Sequence, residues 1–199
     1  EAVGEIRHVA CSSLDTLAEG TAQILSRAYD SRFGGFGSAP KFPSVPTLLF
    51  LLRYAGFNSD KTVLKQVCYT LDRMALSGIR DHLDGGFHRY ATDAAWKLPH
   101  FEKMLYDQAM CAIIYTEAWQ ATKKDRYRLI GAGALDYMIS SLSDPEGGFY
   151  ASEDADSPGG EGAYYLWSYE DFISVLDDDA AYGAAIFGVT REGNVSRMH

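Results

Sequence analysis

The triplet Gly-Gly-Phe occurs three times, at Gly34-Gly35-Phe36, Gly85-Gly86-Phe87 and Gly147-Gly148-Phe149, its phenylalanines 51 and 62 residues apart. Recurrence at such a period points to a repeated supersecondary unit, long enough for a helical hairpin and a long loop.

The segments between the triplets alternate in character. Residues 12–29 carry an apolar stripe (Leu14, Leu17, Ala18, Ala22, Leu25, Ala28) with a polar opposite face. Residues 47–55 follow Pro46 and are apolar nearly all round, Arg53 aside. Residues 61–75 are striped again through Val63, Leu64, Val67, Cys68, Leu71 and Met74. Residues 101–119 become apolar all round after two turns, and residues 126–142 are amphipathic through Tyr127, Ile130, Ala134, Leu135 and Met138. A striped helix has one wet face, whereas an all-round apolar helix is buried on every side. The order outer, inner, outer, inner, outer therefore predicts a two-layer helical array in one domain spanning residues 1–199.

Loop lengths orient this array. Links 56–60 and 122–125 are short, while 30–44, 78–98 and 143–167 are long. Antiparallel neighbours joined in this way place the three Gly-Gly-Phe loops at one end, at the N-termini of the inner helices. Residues 87–92 and 163–167 alternate in polarity and are expected as small β-hairpins in those loops. Ser168 with Asp171 fits a capping box for a short helix through Leu176, residues 180–187 are expected to be helical, and 190–199 reads as a tail.

Charge and hydropathy narrow the partners. The net charge is -9, with 27 acidic against 18 basic residues, and the longest basic run is Lys123-Lys124, so nucleic-acid binding is not expected. The longest apolar run, residues 48–52, falls far short of the roughly 18 residues of a membrane span. Cys11, Cys68 and Cys111 form no C-x-x-C and read as buried free thiols, which favours a reducing compartment.

The densest polar block holds Asp81, His82, Asp84, His88, Arg89 and Tyr90, then Trp96, Pro99, His100, Glu102, Lys103 and Asp107. Pro99 suits a first helical turn, so the inner helix is expected to start at His100, with His100, Lys103 and Asp107 on one face. The blander reading is a structural Lys103–Asp107 pair with His100 capping the loop. The spacing of the three histidines and the lack of H-E-x-x-H argue against zinc, and Pro158 breaks the calcium-loop pattern around Glu153, Asp154 and Asp156, so no metal or other cofactor is expected. Tyr150, Tyr164, Tyr165 and Trp167 flank these carboxylates, and flat rings beside acid/base groups suit a sugar. The candidate catalytic residues are thus His100, Asp107, Glu153, Asp154 and Asp156. Candidate ligand contacts are His82, His88, Tyr90, Trp96, Lys103, Tyr150, Tyr164 and Trp167. Lys103 is expected to lower the pKa of one carboxylate while clustering raises another.

The blocks Gly34-Gly-Phe-Gly-Ser-Ala-Pro-Lys-Phe-Pro43, Gly78-Ile-Arg-Asp-His82, Gly85-Gly-Phe-His-Arg-Tyr90, Pro99-His-Phe-Glu-Lys-Met-Leu-Tyr-Asp-Gln108 and Gly147-Gly-Phe-Tyr-Ala-Ser-Glu-Asp-Ala-Asp-Ser157 resemble the spermatogenesis-associated, thioredoxin-domain-containing proteins, the group called domain of unknown function 255. The resemblance runs from about Phe33 to Asn194. It implies an all-α fold, an incomplete α/α toroid similar to six-hairpin glycosidases and N-acylglucosamine 2-epimerases, with the thioredoxin-like domain and remaining hairpins absent. At ~55 residues per repeat, about three to four of six hairpins are expected. By analogy of fold the function implied is carbohydrate binding or processing, hydrolase-like or epimerase-like if enzymatic. The alternatives are a non-catalytic module binding a peptide or partner domain in the same cleft, and an incomplete product with no activity. An open toroid is also expected to self-associate through its apolar edge.

Overall fold

A computed structural model describes residues 13–194. Cys11 and the last five residues of the expected tail lie outside the described residues.

Among the described residues, five long helices form the two expected layers. Helix α1 (Leu14–Arg27) opens on Ser13, whose hydroxyl accepts from the Thr16 amide. Helix α2 (Val45–Asn58) has Pro46 in its first turn and buries Leu48, Leu49, Leu51 and Leu52. Helix α3 (Lys61–Ala75) is capped by Asp60, which accepts from the Thr62 and Val63 amides. Helices α4 (Leu105–Thr122) and α5 (Asp125–Ser141) complete the array, with α4 packed between α2 and α5. Two short helices follow, α6 (Tyr169–Leu176), capped by Ser168, and α7 (Ala180–Phe187).

The core lies between the layers. Leu48, Leu51, Leu71, Met74, Ile79 and Tyr115 are fully buried there. The buried phenols reach across it: Tyr115 donates to the Leu71 carbonyl (2.8 Å) and Tyr127 to that of Cys68 (3.2 Å). Cys68 and Cys111 are buried free thiols. No described helix is long and apolar enough to cross a membrane.

The loop end departs from expectation at the start of the second inner helix. Residues 99–104 are extended, and α4 begins at Leu105, so His100, Lys103 and Asp107 do not share a helical face. Tertiary pairing overrides the Pro99 signal. Strand β1 (Tyr90–Ala91) pairs antiparallel with β2 (Pro99–His100), and β3 (Lys103–Met104) pairs with β4 (Ser152–Glu153). The Leu105 amide, first of the helix, donates to Ala151 O at 2.9 Å, which satisfies a donor that a helix start leaves free. A tight hairpin joins β5 (Asp156–Ser157) to β6 (Gly160–Glu161). The expected hairpin at 163–167 is instead a turn in which the Tyr165 and Leu166 amides both return to Gly162 O.

The three triplet loops are stitched together at one end. Lys41 and Ala91 exchange both backbone hydrogen bonds (2.8 and 2.9 Å), joining the first loop to the second. The β3–β4 pair joins the second to the third. Both contacts obey one register, since Ala91 and Glu153 each lie four residues beyond the triplet phenylalanine.

Candidate functional site at the loop end

Each triplet is preceded by an aspartate that ties its loop. The Asp30, Asp81 and Asp144 amides donate to Gly35, Gly86 and Gly148 carbonyls at 2.9, 3.1 and 3.1 Å. Their side chains accept from amides two residues on, at Arg32, Leu83 and Glu146. In the first two loops a buried lysine closes a latch. Lys41 Nζ donates to Asp30 Oδ2 and to Gly34 O at 3.0 Å, and Lys103 Nζ to Asp81 Oδ2 (2.8 Å) and Gly85 O (3.0 Å). Aromatic rings wall both ammonium groups: Phe33 and Trp96 around Lys41, Tyr137 and Tyr165 around Lys103. Trp96 and Tyr165 come from the following loop, so each latch is lidded by its neighbour. In these two loops the second glycine is required by space as well as by φ: a Cβ on Gly35 would stand 2.6 Å from Trp96, and one on Gly86 2.8 Å from Tyr137.

These latches reassign several expected ligand contacts. Lys103 pairs with Asp81, not Asp107. Trp96 is fully buried at φ +67, its indole N–H donating to Phe33 O, so it cannot lie beneath a ligand. His88 is 3% exposed and bonded through Nδ1 to Phe101 O; burial, then the Lys103 charge, pushes its pKa down to about 4 and keeps it neutral. Both Glu153 oxygens are engaged, by the Tyr137 phenol and by Tyr165 (3.2 Å), giving this carboxylate a bracing role. His82 is exposed and bonded to Ser77 O.

A second cluster lies around the start of α4. Arg89 holds Glu102 at 2.9 Å, and His100 stands between Glu161 (Nδ1, 2.7 Å) and Glu102 (Nε2, 3.8 Å). Tyr90 stacks on the His100 ring with centroids 4.9 Å apart. Asp107 sits in the first turn of α4, and its Oδ2 is buried without a hydrogen-bond partner among the described residues. Burial pushes its pKa up to about 7; the Arg89 charge works against this and Glu102 adds to it. The shift is therefore opposite to the expected lowering by Lys103, because Lys103 is spent on Asp81. A helix N-terminus favours an anion, yet here desolvation wins. This leaves a carboxyl that exchanges its proton near neutral pH at the mouth of an inner helix.

The remaining candidates lie at the rim. Asp154 and Asp156 are exposed, as are Tyr150, Tyr164 and Trp167, and the Tyr164 hydroxyl donates to Asp84 Oδ2 at 2.9 Å. Sequence reasoning missed Arg89, Glu102 and Glu161 as site residues. No three described His, Cys, Asp or Glu side chains are arranged to hold a metal ion. A separate apolar groove runs along α2, lined by Leu49, Phe50, Tyr54, Phe57 and Met110 under Asp15 and Ala18 of α1. It contains none of the cluster around Asp107.

Known proteins bear on this arrangement. The chain is 41% identical over 194 residues to spermatogenesis-associated protein 20 of Homo sapiens, covering 87% of the chain and 25% of that protein. It is 42% identical over 177 residues to the Mus musculus protein of the same name, covering 84% and 22%. The chain thus spans about a quarter of the length of the curated relatives it matches. No family model matches it. Among solved structures, cellobiose 2-epimerase from Bacillus thermoamylovorans superposes with a TM-score of 0.62 at 12% identity, covering 87% of this chain and 55% of that one. A glycoside hydrolase family 76 α-mannanase from Bacteroides thetaiotaomicron gives 0.56 at 16%, covering 85% and 46%. Likeness at these identities is one of fold: the chain forms part of a six-hairpin glycosidase-like α/α toroid.

Proposed function

We propose, because this chain belongs to the spermatogenesis-associated protein 20 family, that it is part of a carbohydrate-processing toroid that binds a sugar at the loop end and handles protons there through Asp107. The observation that carries the reading is the Asp107 carboxyl in the first turn of α4, whose buried Oδ2 has no partner among the described residues and whose pKa burial pushes up to about 7. A general acid or base works best when its pKa lies near the working pH. The fold neighbours, a sugar epimerase and a mannanase among them, support this choice of substrate class by analogy of fold.

In this reading Asp107 transfers the proton, and His100, held by Glu161, orients a hydroxyl or serves as the second proton carrier. Tyr164 and Trp167 supply ring faces, Tyr90 is spent between Phe42 and the His100 ring it backs, and Asp154 and Asp156 accept from hydroxyls at the rim. A hydrolase would set a second carboxylate ~5–9.5 Å from the first. An epimerase would instead use Asp107 and His100 to remove and return one proton.

Calorimetric titration with neutral oligosaccharides tests the reading. Saturable binding is expected, weakened roughly tenfold, about 1.4 kcal/mol, by Trp167→Ala. Phe57→Ala in the groove along α2 leaves it unchanged. Absence of saturable binding across manno-, gluco- and chito-oligosaccharides overturns the sugar reading.

One observation favours a second reading, a non-catalytic module that holds a peptide: the third loop lacks the lysine that fills the first two. Self-association through the flank of α2, where Phe57 is 94% exposed, is a separate proposal, and sedimentation velocity decides it.

A further inference from the structure

We propose that the third Gly-Gly-Phe loop is a docking site for a lysine on an extended segment of a further repeat, the kind of segment the longer relatives have room to supply. The case rests on the two loops that are filled. In both, an aspartate carboxylate and the carbonyl of the first triplet glycine receive one ammonium group, carried by a residue in the extended stretch that leads into an inner helix.

The third loop repeats the receiving half. Asp144 takes the Glu146 amide on Oδ1, its own amide reaches Gly148 O, and Phe149 bridges back to Ser143 as Phe36 does to Tyr29 and Phe87 to Arg80. The Glu146 amide and then the Tyr150 phenol hold Asp144 below the usual carboxylate range, so it is an anion at neutral pH.

The third copy is more open than the other two, whose phenylalanines are half-buried (Phe36) and buried (Phe87). Phe87 is 1% exposed but Phe149 is 48%, with Tyr150 beside it at 50%. A Cβ on Gly34, Gly35 or Gly86 would press on a neighbour within 3 Å, whereas nothing described lies within 4 Å of one on Gly147 or Gly148. Asp144 makes no salt bridge among the described residues, and the sequence contains no lysine after Lys124. The receiving loop is present with Tyr150 against Asp144, and the ammonium is supplied from elsewhere. Tyr150 then walls this latch and is removed from the sugar contacts.

The probe is an acetylated, amidated peptide copying residues 39–44 (Ala-Pro-Lys-Phe-Pro-Ser), which carries the lysine of the first latch in its own context. Amide shifts of the isotope-labelled chain are followed during its titration. Saturable shifts are expected at residues 144–150, at least tenfold weaker with the Lys41→Met form of the peptide and with Asp144→Asn in the chain. The spectrum of the Asp144→Asn chain away from this loop should be unchanged, which separates lost docking from lost folding. No shift at millimolar peptide overturns the proposal. So do shifts elsewhere only, or equal shifts with the methionine peptide.

Discussion

Lys103→Met is expected to lower unfolding stability by about 3–5 kcal/mol, the range for removing one partner of a buried ion pair. Its side chain is 1% exposed and that of Asp81 8%, so the abandoned carboxylate stays out of water. Burial works to raise the Asp81 pKa, but the Lys103 hydrogen bond and charge and the Leu83 and Asp84 amides outweigh it and hold it low. A lowered carboxylate pKa gives stability that is present above the unfolded value and lost as pH falls through the folded one. The gap between wild type and variant should therefore narrow in acid. Adding Asp81→Asn removes the stranded charge and keeps an acceptor for the turn, so the double variant should recover at least half of the loss. Urea denaturation reads all three chains. An unchanged midpoint for Lys103→Met would remove the latch from the account of the loop end.

Asp107→Asn is expected to act on both chemistry and stability. If the carboxyl transfers a proton, turnover on the true substrate falls by roughly 10²–10⁴-fold. The stability effect has a sign fixed by the raised pKa. Between about pH 4 and 7 the folded carboxyl keeps a proton that the unfolded one has released, so wild-type stability is greatest below the unfolded value and declines as pH rises to about 7. Discounted for partial exposure and screening, the decline is on the order of 2 kcal/mol. The asparagine variant should lack it and match or exceed wild type at pH 8. Stability curves at pH 4.5 and 8 that stay parallel for the two chains would count against a buried, proton-holding Asp107.

Much of the architecture was legible because two periodicities coincide. The 3.6-residue apolar stripes mark α1, α3 and α5, the all-round apolar segments mark α2 and α4, and the recurring triplet sets their spacing. The start of α4 was not legible. Pro99 carries a helix-start signal, but the backbone of residues 99–104 is claimed by β1 and by β4, the latter about 50 residues away. Local propensity cannot report such pairing. The latches leave a sequence signal, an aspartate three or four residues before each triplet, at Asp30, Asp81 and Asp144. Glu161 left none, since its contact with His100 crosses 61 residues. Trp96 looked like a ligand platform by composition, and only its place above Lys41 shows that its ring face is already used.

The proposed function requires that Asp107, in the first turn of α4, hold its proton to near-neutral pH and respond to a bound sugar. Carboxyl-carbon NMR of the 13C-aspartate-labelled chain, assigned with Asp107→Asn, measures this directly with and without a saturating neutral oligosaccharide. The account predicts a midpoint near 7 in the free chain, displaced when the sugar is bound. A midpoint near the ordinary carboxylate value of 3.8, unmoved by any oligosaccharide, would contradict it.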